Sequence, residues 1–231
     1  MRLVALVLLL GAAPAAQAQV SGPPPGCEAT LSIQNRDCTV SLYWQCEALP
    51  DGITFEALYD EDGAFSLSTY NAEFHWLEAH YFVSETVEWM DDASEDVPSL
   101  SELLETGEDA YAFLIQERWP GGADATLYRG VDRLTGETVE VDGEELLETT
   151  YASVALDPET GDVRATMSGT QFVMPEDRLF LSGLDTYEQD GVTETIDGRP
   201  MAIFRPGQAG FAVTTPIYGC GETDIRWEGR P

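Results

Sequence analysis

The stretch from Cys27 to Cys46 constrains this chain more than any other. It holds three of the four cysteines, and its apolar residues alternate: Cys27, Ala29, Leu31 and Ile33 on one run, then Cys38, Val40, Leu42, Trp44 and Cys46 on the next. Alternation with period two marks half-buried strands. Asn35-Arg36-Asp37 between the runs supplies side chains that tolerate turn geometry and bond to their own backbone. The stretch therefore reads as a β-hairpin. A loop of four residues, Asn35 to Cys38, sets Ile33 opposite Val40, Leu31 opposite Leu42 and Cys27 opposite Cys46.

That hairpin selects among the three pairings open to four cysteines. Cys38 and Cys46 share a strand and lie roughly 26 Å apart at the usual rise, whereas a disulfide needs Cα atoms within about 7 Å. Cys27 and Cys38 sit at opposite ends of the hairpin and fail for the same reason. The expected bridges are Cys27–Cys46, closing the open end of the hairpin, and Cys38–Cys220, tying its turn to the C-terminus. Thiolate metal ligation is disfavoured, because no Cys-x-x-Cys occurs and neither histidine lies near a cysteine.

Disulfides imply an oxidising compartment, and the N-terminus agrees. Met1-Arg2 gives a positive start, Leu3 to Leu10 an apolar run and Ala16-Gln17-Ala18 a small-x-small cleavage pattern. The division expected is a signal peptide over 1–18, a flexible Pro- and Gly-rich leader over 19–26 and one disulfide-bonded β domain over 27–231. The apolar run is too short to span a bilayer, and no later stretch approaches the ~20 apolar residues a membrane helix needs. The mature chain is expected to be periplasmic or extracellular, with no transmembrane segment after signal-peptide removal.

Charge is the unusual feature of the composition. Forty-two acidic residues face 11 arginines and no lysine, for a net charge of −31. Between Arg36 and Arg118 there is no basic side chain except two histidines, against 20 acidic residues. Nucleic acid and anionic membrane surfaces are excluded as partners on Coulomb grounds. The acids are spread over strands and turns instead of gathering at one spacing, as a solvated surface requires.

Turn dipeptides recur after the hairpin. Asp51-Gly52, Asp62-Gly63, Asp142-Gly143, Asp190-Gly191 and Asp197-Gly198 are favoured where strands reverse, and Thr135-Gly136 and Thr160-Gly161 add two more. Extended segments lie between them, over 53–59, 64–70, 73–82, 111–117, 126–129, 138–141, 147–156, 171–174, 178–181, 201–204 and 211–215. With Pro158 to Gly161 as a loop, Leu156 faces Val163, Val154 faces Ala165 and Ala152 faces Met167. One helix is expected: Ser99 caps it with Glu102 three residues on, Leu100, Leu103 and Leu104 form its apolar stripe, and Gly107 stops it. The fold class is mainly β, a single antiparallel meander forming a sandwich or incomplete barrel with one short helix.

Signals for chemistry are sparse. There is no His-Glu-x-x-His, no Gly-x-Ser-x-Gly and no phosphate-cradling glycine loop. His75 and His80, five residues apart, point to opposite faces of a strand. Asp60-Glu61-Asp62-Gly63 resembles the start of a calcium loop but lacks the alternating oxygen ligands and closing glutamate. No cofactor is expected, with calcium at that turn as the alternative. The candidate binding residues are Glu73, His75, Trp76, Glu78, Trp89, Asp91 and Asp92, where carboxylates stand beside tryptophans. Three function classes follow: a non-enzymatic exported module binding a partner protein or small ligand, a carbohydrate-active hydrolase using Glu73, Glu78, Asp91 or Asp92 as paired carboxylates, and a carrier of an apolar ligand with the Ser99 helix as its lid. The first is preferred, with any active surface sought in the arginine-free acidic stretch between Glu47 and Glu117.

Overall fold

The computed structural model describes Val20 and residues 22–221, so the expected signal peptide over 1–18 lies outside the described residues, as does the end of the chain from 222. Thirteen strands form one antiparallel sheet. They are β1 (Cys27–Asn35), β2 (Val40–Cys46), β3 (Thr54–Asp60), β4 (Gly63–Tyr70), β5 (Trp76–Tyr81), β6 (Thr86–Met90), β7 (Glu108–Trp119) and β8 (Gly122–Val141), followed by β9 (Glu144–Leu156), β10 (Val163–Met174), β11 (Leu179–Gln189), β12 (Val192–Asp197) and β13 (Pro200–Phe204). Strands β1 to β12 pair in chain order, while β13 returns to the free edge of β1. The helix α1 (Leu100–Thr106) stands between β6 and β7.

The topology forces the sheet to return on itself. Its two edge strands, β12 and β13, are separated only by Gly198 and Arg199. Gly198 donates to the Gly183 carbonyl and Arg36 to the Arg199 carbonyl, fixing that crossing. Leu31, Ile33, Tyr43 and Ile203 pack in one core cluster with Leu146, Phe172, Met174, Leu179 and Leu181, so β1, β2 and β13 meet β9, β10 and β11. Arg205, just beyond β13, clasps the contact. It binds Glu144 at 2.8 and 2.9 Å and Asp177 at 2.6 and 2.7 Å, joining three segments distant in sequence. Asp142 in the β8–β9 turn accepts the Ile203 N–H at 3.0 Å, which occupies part of the edge of β13. Asp197-Gly198, expected to reverse a hairpin, thus links the two sheet edges instead.

Both expected disulfides are present, Cys27–Cys46 and Cys38–Cys220. The hairpin register is correct at its cysteine end and shifted at its turn end: Cys27 faces Cys46, but Leu31 faces Tyr43 and Ile33 faces Ser41. One extra residue at Thr30 forms a bulge that moves the pairing by one. The β9–β10 hairpin repeats the lesson. Val163 faces Leu156 as expected, yet Ala165 faces Ala155 and Met167 faces Ser153, because Arg164 is bulged. Its guanidinium binds Asp124 at 2.8 Å and Asp157 at 2.7 Å.

Other differences have local causes. Segments 126–129 and 138–141 belong to one strand, β8, and Thr135-Gly136 is an irregularity within it, with Gly136 at φ 83°. Asp142-Gly143 and Asp190-Gly191 are two-residue turns with positive φ at both positions, the geometry that suits strand twist. Strands β6 and β12 were not expected from the pattern, being short or polar. Residues 211–215 are not a strand. Buried Ser32 and Gln34 on β1 capture that segment with their side chains: Ala212 donates to Ser32 Oγ, Gln34 Nε2 donates to the Thr215 carbonyl, and Ile217 donates to Gln34 Oε1. The helix starts and stops as expected, with the Glu102 N–H donating to Ser99 Oγ and Gly107 left-handed at φ 87°. Leu100 and Leu103 bury against Val173.

Candidate functional site

A cavity of about 300 Å³ lies where β1 to β5 face the β10–β11 hairpin. Its centre is built by cross-strand register. Tyr43 on β2 faces Glu56 on β3, Glu56 faces Ser68 on β4, and Ser66 faces Tyr81 on β5, so these side chains share one face of the sheet. Glu56 is 9% exposed and accepts hydrogen bonds from both flanking phenols, Tyr43 Oη to Oε1 at 2.6 Å and Tyr70 Oη to Oε2 at 3.1 Å. Burial pushes the Glu56 carboxyl above its usual range, while the hydrogen bonds from Tyr43, Ser41 and Tyr70 pull it back part of the way. Burial, and then the Glu56 charge, push both tyrosine hydroxyls well above 10.0. Among the described residues, no basic side chain pairs with this carboxylate.

The aromatic wall depends on a strained turn. Residues 73–82 were expected to form one strand, but β5 begins only at Trp76 and Asn71 to His75 make a tight loop. Asn71 Oδ1 accepts from the Glu73 and His75 N–H groups at 2.9 and 3.0 Å. Phe74 at its tip has φ 61°, a conformation unfavourable for a bulky residue. What the loop gains is placement: the Phe74 ring stacks on Tyr70 at 4.2 Å and meets Phe180 at 5.4 Å, while Trp76 lies 6.3 Å from Tyr70. The half-buried Trp76 lines the cavity, and its indole N–H is buried with no partner among the described residues.

The loop also disperses the residues expected from sequence. Glu73 turns toward α1, accepting from Ser101 N at 2.8 Å, from both Ser99 Oγ and Ser101 Oγ, and from Arg178 at 2.9 Å. These contacts outweigh burial and hold its carboxyl below the usual range. His75 is engaged on both ring nitrogens, by Asn71 at 3.1 Å and the Pro98 carbonyl at 2.6 Å. Glu78 is exposed and touches His80 at 2.6 Å. Asp91 accepts from Ala93 N and Gln116 Nε2 and sits below its usual range for that reason. His75, Trp76, Trp89, Asp91 and Asp92 do share an open groove of about 510 Å³, separate from Glu73 and Glu78. Trp76 is common to groove and cavity.

Tyr43, Glu56, Tyr70 and Tyr81 were not among the sequence candidates. Period-two burial on β3 and β4 was legible, and a glutamate at a position that faces the core is the signal that could have found Glu56. Of the other candidate metal positions, Asp60 spends Oδ1 on the Asp62 and Gly63 N–H groups of its own turn. Glu61 lies near the sulfurs of Cys38 and Cys220, but these form a disulfide and offer no thiolate.

No family model matches the chain, and no curated protein matches it. Among solved structures it is similar to the crystal structure of the hypothetical lipoprotein YmcC from Escherichia coli K12, at 9% identity over 77% of this chain and 87% of that one, with a TM-score of 0.41. The function is therefore read from geometry. Two disulfides are consistent with a protein exported to an oxidising compartment. No helix among the described residues is long and apolar enough to cross a membrane.

Proposed function

We propose that this chain is an exported, non-enzymatic binding module whose ligand is a small molecule taken into the cavity around Glu56. The observation that carries this reading is the combination of concave volume, aromatic walls and convergent polar groups at the centre, which is how small-molecule sites are generally built. A cavity of about 300 Å³ is at the low end of the range for such sites, so the ligand is small. Part of its polar lining, including Glu56, Ser66, Ser68, Tyr70 and Tyr81, comes from the arginine-free acidic stretch, and the rest from the first hairpin and from Gln171 and Ser182.

Binding is favoured over hydrolysis by the state of the carboxylates. Sugar hydrolysis needs one protonated acid beside one free carboxylate. Glu73 and Asp91 are held ionised by their hydrogen bonds, and neither Glu73 nor Glu78 lines the groove that holds Asp91 and Asp92. The Trp76–Trp89 groove with Asp91 and Asp92 belongs to the same proposal as an outer contact surface that shares Trp76 with the cavity.

The test is a thermal-shift screen of the full, disulfide-bonded chain against amines, sugars, amino acids, apolar alcohols and divalent ions, since a ligand that binds only the folded state raises its melting point. A ligand of this cavity stabilises the wild type and loses that effect in Tyr70→Leu, which opens the wall beside Glu56. A ligand whose effect survives Tyr70→Leu unchanged binds elsewhere, and the cavity reading fails.

A further inference from the structure

The arginines and the buried acids of this protein are segregated. Arg36, Arg133, Arg164, Arg178, Arg199 and Arg205 all pair with carboxylates that retain access to water. The buried Glu56, Asp109 and Asp132 and the half-buried Asp37, Glu88 and Asp185 form a second set, and none of them has an ion pair with an arginine among the described residues. Phenols flank three of them, Tyr43 and Tyr70 on Glu56, Tyr81 on Glu88 at 3.3 Å and Tyr111 on Asp132 at 3.5 Å, while Asp37 accepts from Thr39 Oγ1 at 2.6 Å and Asp109 from the Ser99 N–H at 2.8 Å. A buried carboxylate without a counter-charge must take up a proton or a cation. Only Glu56 and Asp37 of this set line the cavity, and no basic side chain lines it.

We propose that the cavity is a site for a small organic cation, an ammonium compound. This deepens the reading above and rests on it. Two features of the wall match two features of such a ligand. Glu56 supplies negative charge and, with two lone pairs beyond those used by Tyr43 and Tyr70, can still accept from or lie against a cation. Phe65, Phe74, Trp76 and Phe180 supply ring faces and edges, and cations are attracted to aromatic faces within about 6 Å. A bare metal ion fits less well, because the volume exceeds that of one ion and the Phe65, Phe74, Trp76 and Phe180 rings offer it no oxygen. The net charge of −31 raises the local concentration of any cation at the surface.

The probes are choline, tetramethylammonium and the neutral isostere 3,3-dimethylbutan-1-ol, each at matched ionic strength in sodium chloride, with the full chain and both disulfides intact. Choline at about a hundredfold its dissociation constant is expected to raise the melting point by about 5–10 °C and to change tryptophan fluorescence. Tetramethylammonium, with the same charged group, gives a comparable shift, and the neutral alcohol gives none. Glu56→Gln keeps the shape of the side chain and loses about tenfold or more in choline affinity. Trp76→Ala, which removes a ring from the wall, weakens choline and tetramethylammonium alike. Equal shifts with choline and the neutral alcohol overturn the cation while leaving a small-molecule cavity standing. Stabilisation by calcium that Glu56→Gln abolishes overturns it in favour of a metal. Silence with all three probes, in wild-type protein that unfolds cooperatively, overturns it outright. Silence throughout the wider screen as well removes the cavity reading.

Discussion

Single residues in this protein divide into two electrostatic populations whose effects on stability run in opposite directions with pH. Asp132, 8% exposed, is pushed up to about 7 from 3.8, first by burial and then by the charge of Asp109. A carboxyl raised on folding stabilises the fold fully below its unfolded pKa, and that contribution is lost as pH rises through the folded value. Asp157, by contrast, is held to about 2, chiefly by Arg164, and its contribution is lost only as pH falls below 3.8. Stability is therefore expected to peak near pH 4–5 and to decline toward pH 8. Asp132→Asn, which cannot ionise, should flatten that decline and leave the variant more stable than wild type at pH 8 by on the order of 2 kcal/mol. Urea unfolding between pH 4 and 8 measures it; parallel profiles for the two proteins would show that Asp132 is not the group responsible.

At the scale of elements, the two disulfides do different work. Cys27–Cys46 closes a loop spanning 19 positions and reinforces a hairpin already held by its ladder. Cys38–Cys220 spans 182 positions and holds a segment that, among the described residues, has no strand partner and is tied to β1 by hydrogen bonds with the Ser32 and Gln34 side chains. In the chain-entropy account the long closure contributes about 5 kcal/mol and the short one about 3. Replacing Cys38 and Cys220 together with serine should lower unfolding free energy more than replacing Cys27 and Cys46. It should also raise amide exchange selectively over residues 205–221. Equal losses, with exchange unchanged there, would mean that the polar contacts alone secure the segment. Bulges at Thr30 and Arg164 and the close approach at Gly183, where a Cβ would overlap the Thr170 carbonyl, are likewise features of pairs of strands, not of either strand alone.

Among the described residues the two edges of the sheet are brought together, and polar contacts outside the ladder help the apolar core to hold them there. Arg205 is the most connected of them, with four hydrogen bonds to Glu144 and Asp177 and a side chain 31% exposed. Arg133 pairs only with Glu108, both more than half exposed. Exposed pairs are worth at most about 1 kcal/mol, whereas stripping a half-buried bidentate network of its cation leaves two carboxylates facing each other. Arg205→Ala is expected to cost on the order of 2 kcal/mol and Arg133→Ala less than about 0.5 kcal/mol, read from denaturant midpoints at pH 7. Similar small losses for both would show that the hydrophobic cluster of Leu31, Ile33 and Leu181 closes the sheet unaided.

What the sequence determined by itself is local or set by chain reach. Alternation gave the strands; the distance between Cys38 and Cys46 along one strand excluded their pairing; Ser99, Glu102 and Gly107 bounded the helix. Each depends on residues within one or two neighbouring elements, where backbone geometry leaves few choices. The register beyond a bulge, the return of β13 to β1 and the conversion of 211–215 from an expected strand into a tethered segment were decided only in three dimensions. So was the candidate site. Glu73, Glu78 and Asp91 are close in sequence or in pattern, yet the turn from Asn71 to His75 sends Glu73 to α1 and Arg178 while Glu78 and Asp91 make contacts of their own, and Tyr43, Glu56, Tyr70 and Phe180 converge from four strands. Tertiary structure decides such sites because a buried carboxylate is defined by what surrounds it, and here the surroundings come from opposite ends of the sheet.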